Sequence, residues 1–152
     1  MALSALLALA VVVVVLLAYV RLVGHDSARW HVNPVTARLP PTPNAHILRP
    51  GEGAPVFDIG QTDLARIVDE VVSAQPRTRL VEQSADGLHR TWVQRSLLIG
   101  YPDYVTIRVV PAGEGASLAL FSRSRYGHSD MGVNRKRAEA WMEEIARAVS
   151  AD

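Results

Sequence analysis

An uncharged apolar run near the start of the chain constrains the fold more than any other feature. From Ala2 to Val20 the sequence carries no charge, and only Ser4 and Tyr19 have polar side chains. As a helix rising about 1.5 Å per residue, this run would extend about 28 Å, close to the hydrocarbon thickness of a bilayer. We therefore predict a single transmembrane anchor over residues 2–21.

Two other interpretations of the run are weaker. A cleaved signal peptide would carry Lys or Arg before the apolar stretch and a small-x-small cleavage site after it, and neither pattern is present. A buried helix of a soluble protein would show a polar face. The flanking charges, Arg21 and Arg29, follow the run, and the positive-inside rule applied to them places the rest of the chain in the cytoplasm.

Composition excludes several classes of protein. Hydrophobic residues make up 49% of the chain and charged residues 20%, which is too apolar for a disordered chain. The formal net charge of +1 argues against a nucleic-acid binder, which needs an excess of cations to meet phosphates. Because the chain has no cysteine, it has no disulfide, thiolate nucleophile or thiolate metal site.

Residues 22–60 are predicted to form a proline-rich tether with little regular structure. Proline fixes its own φ angle and pushes the preceding residue toward extended geometry. Trp30 and Phe57 would serve no purpose in a fully solvated linker, so we expect both to pack on the folded domain, at an edge or on an open face of its sheet. The six prolines of this segment are Pro34, Pro40, Pro41, Pro43, Pro50 and Pro55.

Residues 61–150 are predicted to form an α+β domain with the order α–β4–α. Apolar residues recur with helical spacing over Thr62–Ala74, where Thr62 or Asp63 would cap the helix, and over Asn134–Val149. Turn residues separate the strand-like runs between them, which favours a four-stranded antiparallel meander with both helices on one face. The four predicted strands are Arg77–Ser84, Leu88–Leu98, Tyr104–Val110 and Ser117–Arg125.

The segment 122–137 carries a motif that resembles a known family. Its pattern, S-R-S-R-x-G-x-S-D-x-G-x-N-R, lies after a strand and before the last helix. It is similar to the signature of an uncharacterised bacterial and plastid family, the domain of unknown function 1499. The stretches Arg-Trp-His-Val-Asn-Pro at 29–34 and Pro-Asp-Tyr-Val-Thr-Ile-Arg at 102–108, together with the closing helix, extend the likeness over roughly residues 27–150. The resemblance implies a small domain without established activity, often tied to a membrane and often outside the cytoplasm. It therefore favours the extracytoplasmic side of an inner (plasma) membrane, against the arginine bias.

The same segment predicts an anion-binding or partner-binding site. Five cations and a single anion lie between Phe121 and Arg137, and three of those cations fall in the first turn of a helix, where the helix dipole disfavours them. A phosphate, sulfate or carboxylate, such as an anionic lipid headgroup, would compensate them. The candidate residues are Arg123, Arg125, Asp130, Asn134, Arg135 and Arg137.

Internal compensation is the alternative, and we favour it for this segment. Asp130 or Asn134 would cap the last helix, Arg135 would pair with Glu139, and Arg137 would stack on Trp141.

Catalysis and metal binding have weaker support. Ser129 and His128 suggest a small hydrolase or transferase, but the spacing G-x-S-x-x-G is one residue longer than a nucleophile elbow. The five histidines show no spacing typical of metal ligands, and no phosphate-cradling or dinucleotide motif indicates a cofactor. The sequence thus predicts a membrane-anchored, non-enzymatic binding or assembly module whose partners are the bilayer and an anionic lipid or membrane protein, with the Ser/His enzyme as the alternative.

Overall fold

The apolar run forms one long helix that contacts the folded domain at its last turn. The computed structural model of the chain describes residues 2–152. Helix α1 spans Ala2–Leu22, and none of its residues is buried against the rest of the protein. It is long and apolar enough to cross a membrane, with a mean hydropathy of 3.0. A signal sequence would meet the same criteria of length and composition.

The domain is built on one mixed six-stranded sheet, ordered β2-β1-β6-β5-β4-β3. Neighbouring strands pair antiparallel except β1 and β2, which pair in parallel over two residues. Strands β3 to β6 form the predicted meander. The strands are β1 Ala45–Pro50, β2 Gly53–Ala54, β3 Thr78–Gln83, β4 His89–Arg95, β5 Pro102–Ala112 and β6 Gly115–Ser124.

The prediction of a four-stranded sheet is wrong, because the segment expected to be a tether supplies two more strands. Strand β1 pairs along β6, with Ala45 opposite Arg123 and Leu48 opposite Leu120. In addition, Phe57 forms a bridge with Ala116. The edge that the sequence leaves open at β6 is therefore covered by residues from the segment 45–57, far earlier in the chain.

Two helices cover one face of this sheet, as predicted. Helix α3 spans Gln61–Ser73 and α4 spans Val133–Ala151, each within two residues of the predicted ends. The prediction that Thr62 or Asp63 caps α3 is wrong. The N-cap is Gly60, which has no side chain that could bond the helix. The core between helices and sheet is fully apolar at its centre. Its side chains include Leu64, Val68, Val72, Trp92, Val105, Ile107, Val109, Leu118, Leu120, Trp141 and Ile145.

The opposite face of the sheet is covered by the chain that follows α1. A short helix, α2, spans Ser27–Trp30. The ring of Trp30 stacks on that of Tyr104, with ring centroids 4.1 Å apart and an interplanar angle of 13°. Trp30, Tyr104 and Val93 form a second buried cluster. The expectation that Trp30 and Phe57 pack on the domain is confirmed, since they are 4% and 7% exposed.

Candidate functional site

Strand β6 sends its alternate side chains to opposite faces of the sheet, and this divides the predicted anion site in two. Ser122 reaches the helix-covered face and donates a hydrogen bond to Asn134. Arg123 reaches the other face, where its guanidinium lies over the rings of Trp30 and Phe121. Because successive residues of a strand point in opposite directions, Arg123 and the residues at the start of α4 lie on opposite faces of the sheet. The two sets of residues therefore cannot contact one ligand.

Asp130 binds the free backbone N–H groups at the start of α4. Its carboxylate accepts the backbone N–H groups of Gly132 at 2.9 Å and Asn134 at 2.8 Å, and the Asn134 amide at 2.6 Å. Burial alone would raise the pKa of Asp130, but these hydrogen bonds outweigh it and hold the pKa below its ordinary value. The carboxylate therefore compensates the helix terminus that was predicted to attract an anion.

Asn134 links three parts of the domain. It is fully buried. Its carbonyl oxygen accepts from the Ser122 hydroxyl at 2.6 Å and from Arg137 at 2.7 Å. Its amide group lies within 2.9 Å of the Asn44 carbonyl and the Ser124 hydroxyl. A fully bonded buried amide of this kind joins the start of α4 to β6 and to the residue preceding β1.

Arg137 is an internal residue. It donates to Asp103 at 2.8 Å, in an ion pair whose side chains are 10% and 16% exposed, and to Gln94 at 2.6 Å. The predicted stacking of Arg137 on Trp141 is wrong, because the guanidinium turns toward the sheet instead. Arg135 pairs with Glu139 at 2.8 Å, as the alternative interpretation predicted. Arg135 and Arg137 thus both have partners within the chain.

The serine and histidine of the enzyme alternative are not brought together. Ser129 accepts the backbone N–H of Met131 at 3.3 Å, and both Ser129 and His128 lie exposed. Within residues 2–152 no hydrogen bond joins the Ser129 hydroxyl to an imidazole. Among the same residues, no three His, Asp or Glu side chains are grouped so that they could hold a metal ion.

Arg123 is a half-buried arginine of the motif that has no acidic partner among the described residues. Its guanidinium donates to the Trp30 carbonyl at 2.5 Å, and its Nε has no partner among the described residues. Burial, and then the nearby charge of Arg29, lower the pKa of Arg123 to about 10. A cation that is desolvated without a counter-charge is unfavourable unless an anion joins it.

Arg123 forms the wall of an arginine-lined pocket on the face that carries Trp30. The pocket has a volume of about 290 Å³. Among the side chains of residues 2–152 that line it, four are arginines and none is acidic. Two of these arginines come from the segment before β1, and sequence reasoning missed them, because nothing in their local spacing shows that they meet β6. The four are Arg29, Arg38, Arg123 and Arg125.

A pair of histidines lies on the same sheet face, nearer to β4. His31 stacks on His89 with ring centroids 3.8 Å apart. The His31 Nδ1 lies 2.8 Å from the Thr91 hydroxyl, and the His89 Nε2 lies 3.2 Å from the Val32 carbonyl. Burial is the largest cause that lowers the pKa of both rings, so both are neutral near pH 7.

We expect acid to destabilise the domain through this pair. Burial first, then the charges of His31 and Arg108, lower the pKa of His89 from 6.5 to about 4, although the hydrogen bond to the Val32 carbonyl and the charge of Asp86 oppose them. The unfolded chain therefore binds more protons between these values, so stability is complete above about pH 6.5 and falls as the pH drops toward 4. Melting temperatures measured across this range should depend less on pH in His89→Gln. The exposed His128→Gln serves as the control, and an unchanged dependence in His89→Gln would contradict the assignment.

The fold and the buried polar network define a class: a small α+β domain in which two helices cover one face of an antiparallel-rich sheet. Residues 35–145 match the family described as Protein of unknown function (DUF1499). This match covers more than half of the chain, and the protein belongs to that family, as the motif at 122–137 indicated.

Solved structures resemble the chain at low sequence identity. Protein MLL2253 from Mesorhizobium loti has a TM-score of 0.51 at 7% identity, over 70% of this chain and 97% of that one. Protein CV1439 from Chromobacterium violaceum has a TM-score of 0.47 at 13% identity, over 71% and 96% of the two chains. At such identities a likeness indicates the fold alone, and only MLL2253, with a TM-score above 0.5, supports that conclusion. Among curated proteins, none matches the sequence.

Proposed function

We propose that this protein is a membrane-anchored, non-enzymatic binding module that holds an anionic group in its arginine pocket. The observation that carries the proposal is the pocket itself: four arginines meet there without an acidic side chain among the described residues. The α4 arginines, which the sequence had grouped with them, already have partners. The ligand site therefore shifts from the turn before α4 to the opposite sheet face.

The chemistry of the pocket suits a phosphate or a similar oxyanion. Guanidinium groups bind phosphate and carboxylate through parallel N–H bonds, and they do so best where water is partly excluded. Arg123 supplies a desolvated cation with an unpartnered Nε, while Arg29, whose guanidinium lies over the Trp30 ring, and Arg38 are exposed at the rim. Thr42 and Asn44 add neutral hydrogen-bonding groups to the lining.

The pocket lies close to the end of α1, which favours a lipid headgroup as the source of the anion. Arg125 donates to the carbonyl of Gly24 at 2.8 Å, two residues beyond the helix. If α1 spans the bilayer, Arg125 lies near the headgroup layer. We assign the domain to the extracytoplasmic side, as the family resemblance implies. Labelling of a Glu114→Cys variant in intact cells with a membrane-impermeant maleimide distinguishes the two sides.

We expect an anionic lipid to raise the melting temperature of the full chain in neutral detergent. The probes are short-chain phosphatidylglycerol, short-chain phosphatidylcholine and inorganic phosphate, with melting followed by circular dichroism. Phosphatidylglycerol should stabilise the protein, phosphatidylcholine should not, and added salt should weaken the effect. Stabilisation by inorganic phosphate as well would identify a general phosphate site.

The variant Arg29→Gln/Arg38→Gln tests the site without removing a side-chain hydrogen bond or ion pair, because both arginines are exposed and make neither within residues 2–152. Its response to phosphatidylglycerol should be lost. The matched control, Arg135→Gln/Arg147→Gln, removes the same charge from exposed positions of α4 and should respond like the wild type. An equal response in both double variants would mean that net charge, and not the pocket, binds the lipid.

A further inference from the structure

Exposed apolar side chains gather at the end of the domain that meets α1. The loop between β4 and β5, residues 96–101, carries Leu97 at 72% exposure, Leu98 at 83% and Ile99 at 37%, followed by Tyr101 at 41%. The sequence placed the first two in a strand, but β4 ends at Arg95 and leaves them in the loop. Consecutive exposed aliphatic residues are uncommon on a soluble surface and mark a site of contact.

The loop has a defined shape, so it presents these side chains in a fixed direction. The Ser96 hydroxyl accepts the backbone N–H groups of Gly100 at 3.1 Å and Tyr101 at 2.9 Å. Arg95 donates to the Gly100 carbonyl at 3.0 Å. These bonds close the loop on itself and leave the leucine side chains outside.

The same loop is fixed to the last turn of α1. Arg21 donates to the Leu98 carbonyl at 2.8 Å, and Arg95 donates to the Val20 carbonyl at 3.0 Å. The exposed leucines therefore lie at the level where the apolar helix ends. For a helix that spans a bilayer, this level is the boundary between acyl chains and headgroups.

Cations surround the apolar loop on the side of β3. A cavity of about 480 Å³ runs between the end of α1, β3 and the loop, and Leu97 lies in its wall. No acidic side chain of the described chain lines it. Its four arginines are Arg21, Arg77, Arg79 and Arg95. Apolar side chains bordered by arginines match the depth profile of a leaflet that contains anionic lipids.

We propose that the loop Leu97–Ile99, with Tyr101 beside it, is immersed in the bilayer surface next to α1. The domain is then held at a fixed height and orientation by two contacts, the spanning helix and the loop. This inference rests on the proposed function only in requiring that α1 crosses the membrane, and it does not depend on the arginine pocket near Trp30. The occupant of the apolar surface is lipid, because the surface is continuous with the lipid-facing helix.

The absence of cysteine allows a direct test with single labelled sites. The full chain is placed in nanodiscs of phosphatidylcholine and phosphatidylglycerol, with an environment-sensitive NBD label at Leu98→Cys. Quenching by lipids that carry a nitroxide on the acyl chain reports immersion. Val12→Cys in α1 is the lipid reference, and Glu114→Cys, in the turn at the far end of the roughly 33 Å long β5, is the water reference.

The label at Leu98 is expected to be quenched several-fold more than the label at Glu114, and its emission should shift to the blue. Since Leu98 is 83% exposed, its replacement removes little packing, and Leu97→Cys provides a second site. Quenching at Val12 with none at Leu98 or Leu97 would overturn the immersed loop and leave the anchor intact. A blue shift without lipid quenching would mean that protein covers the loop, which also overturns it. No quenching at Val12 would refute both the anchor and the loop.

Discussion

Replacing Arg137 with alanine should lower the free energy of unfolding by about 3–5 kcal/mol, because the change strands a buried carboxylate. Arg137 and Asp103 are joined at 2.8 Å with little solvent contact. The variant also removes a donor from the carbonyl oxygen of Asn134, which is itself fully buried. Urea denaturation of the full chain in neutral detergent, followed by circular dichroism, measures the loss.

Arg135→Ala is the matched control, since it removes an arginine from the same turn of α4. Its side chain is 68% exposed and that of its partner Glu139 is 47% exposed, so the pair is open to solvent and stability should barely change. Asp103→Ala/Arg137→Ala should recover part of the loss, because no unpaired charge remains. If Arg135→Ala and Arg137→Ala were equally destabilised, the internal role of Arg137 would be contradicted.

The sequence partly predicts that Arg137 is internal while Arg135 is exposed. In α4 the buried positions include Asn134, Ala138, Trp141 and Ile145. Arg137 lies four residues before Trp141, on the same stripe, and this spacing indicates an inward side chain. The sequence interpretation used that spacing to predict stacking on Trp141, but it could not identify Asp103 as the partner. Asp103 reaches Arg137 only through the pairing of β5 with β6.

The strands and helices whose formation depends on the local residue pattern were predicted from the sequence. Alternation and turn residues gave β3 to β6, and helical spacing gave α3 and α4, because burial of one face imposes a period on the residues that form it. In β5 the alternate residues Val105, Ile107 and Val109 all line the helix-covered core.

Strand β1 was missed for a physical reason. Ala45–Pro50 lies among the prolines of 22–60, which favour extended chain with or without a sheet partner. Such a chain becomes a strand because it pairs with the free edge of β6. The pattern of residues within 22–60 does not show that this edge is available. The arginine pocket was missed for the same reason. Arg29 and Arg38 come to Arg123 only because this segment folds back over the sheet.

Trp30 holds that segment in place, so Trp30→Ala is expected to destabilise the domain by about 3–5 kcal/mol. The side chain is 4% exposed and stacks on Tyr104. Its main-chain carbonyl accepts from Thr106 at 3.0 Å and from Arg123 at 2.5 Å. Without the indole, α2 loses its apolar contact with the sheet, and the pocket around Arg123 opens to water. Thermal and urea unfolding of the full chain would measure the loss.

Trp30→Phe separates stacking from hydrogen bonding. Within residues 2–152 the indole Nε1 of Trp30 has no hydrogen-bond partner, so phenylalanine gives up no bond and keeps an aromatic face on Tyr104. It should retain most of the stability and most of the response to phosphatidylglycerol, while Trp30→Ala should lose both. A fully stable Trp30→Ala that still responds to the lipid would show that the segment after α1 is not held by its indole. In that case Arg29 would have to meet the sheet through the main-chain bonds to Thr106 and Arg123 alone.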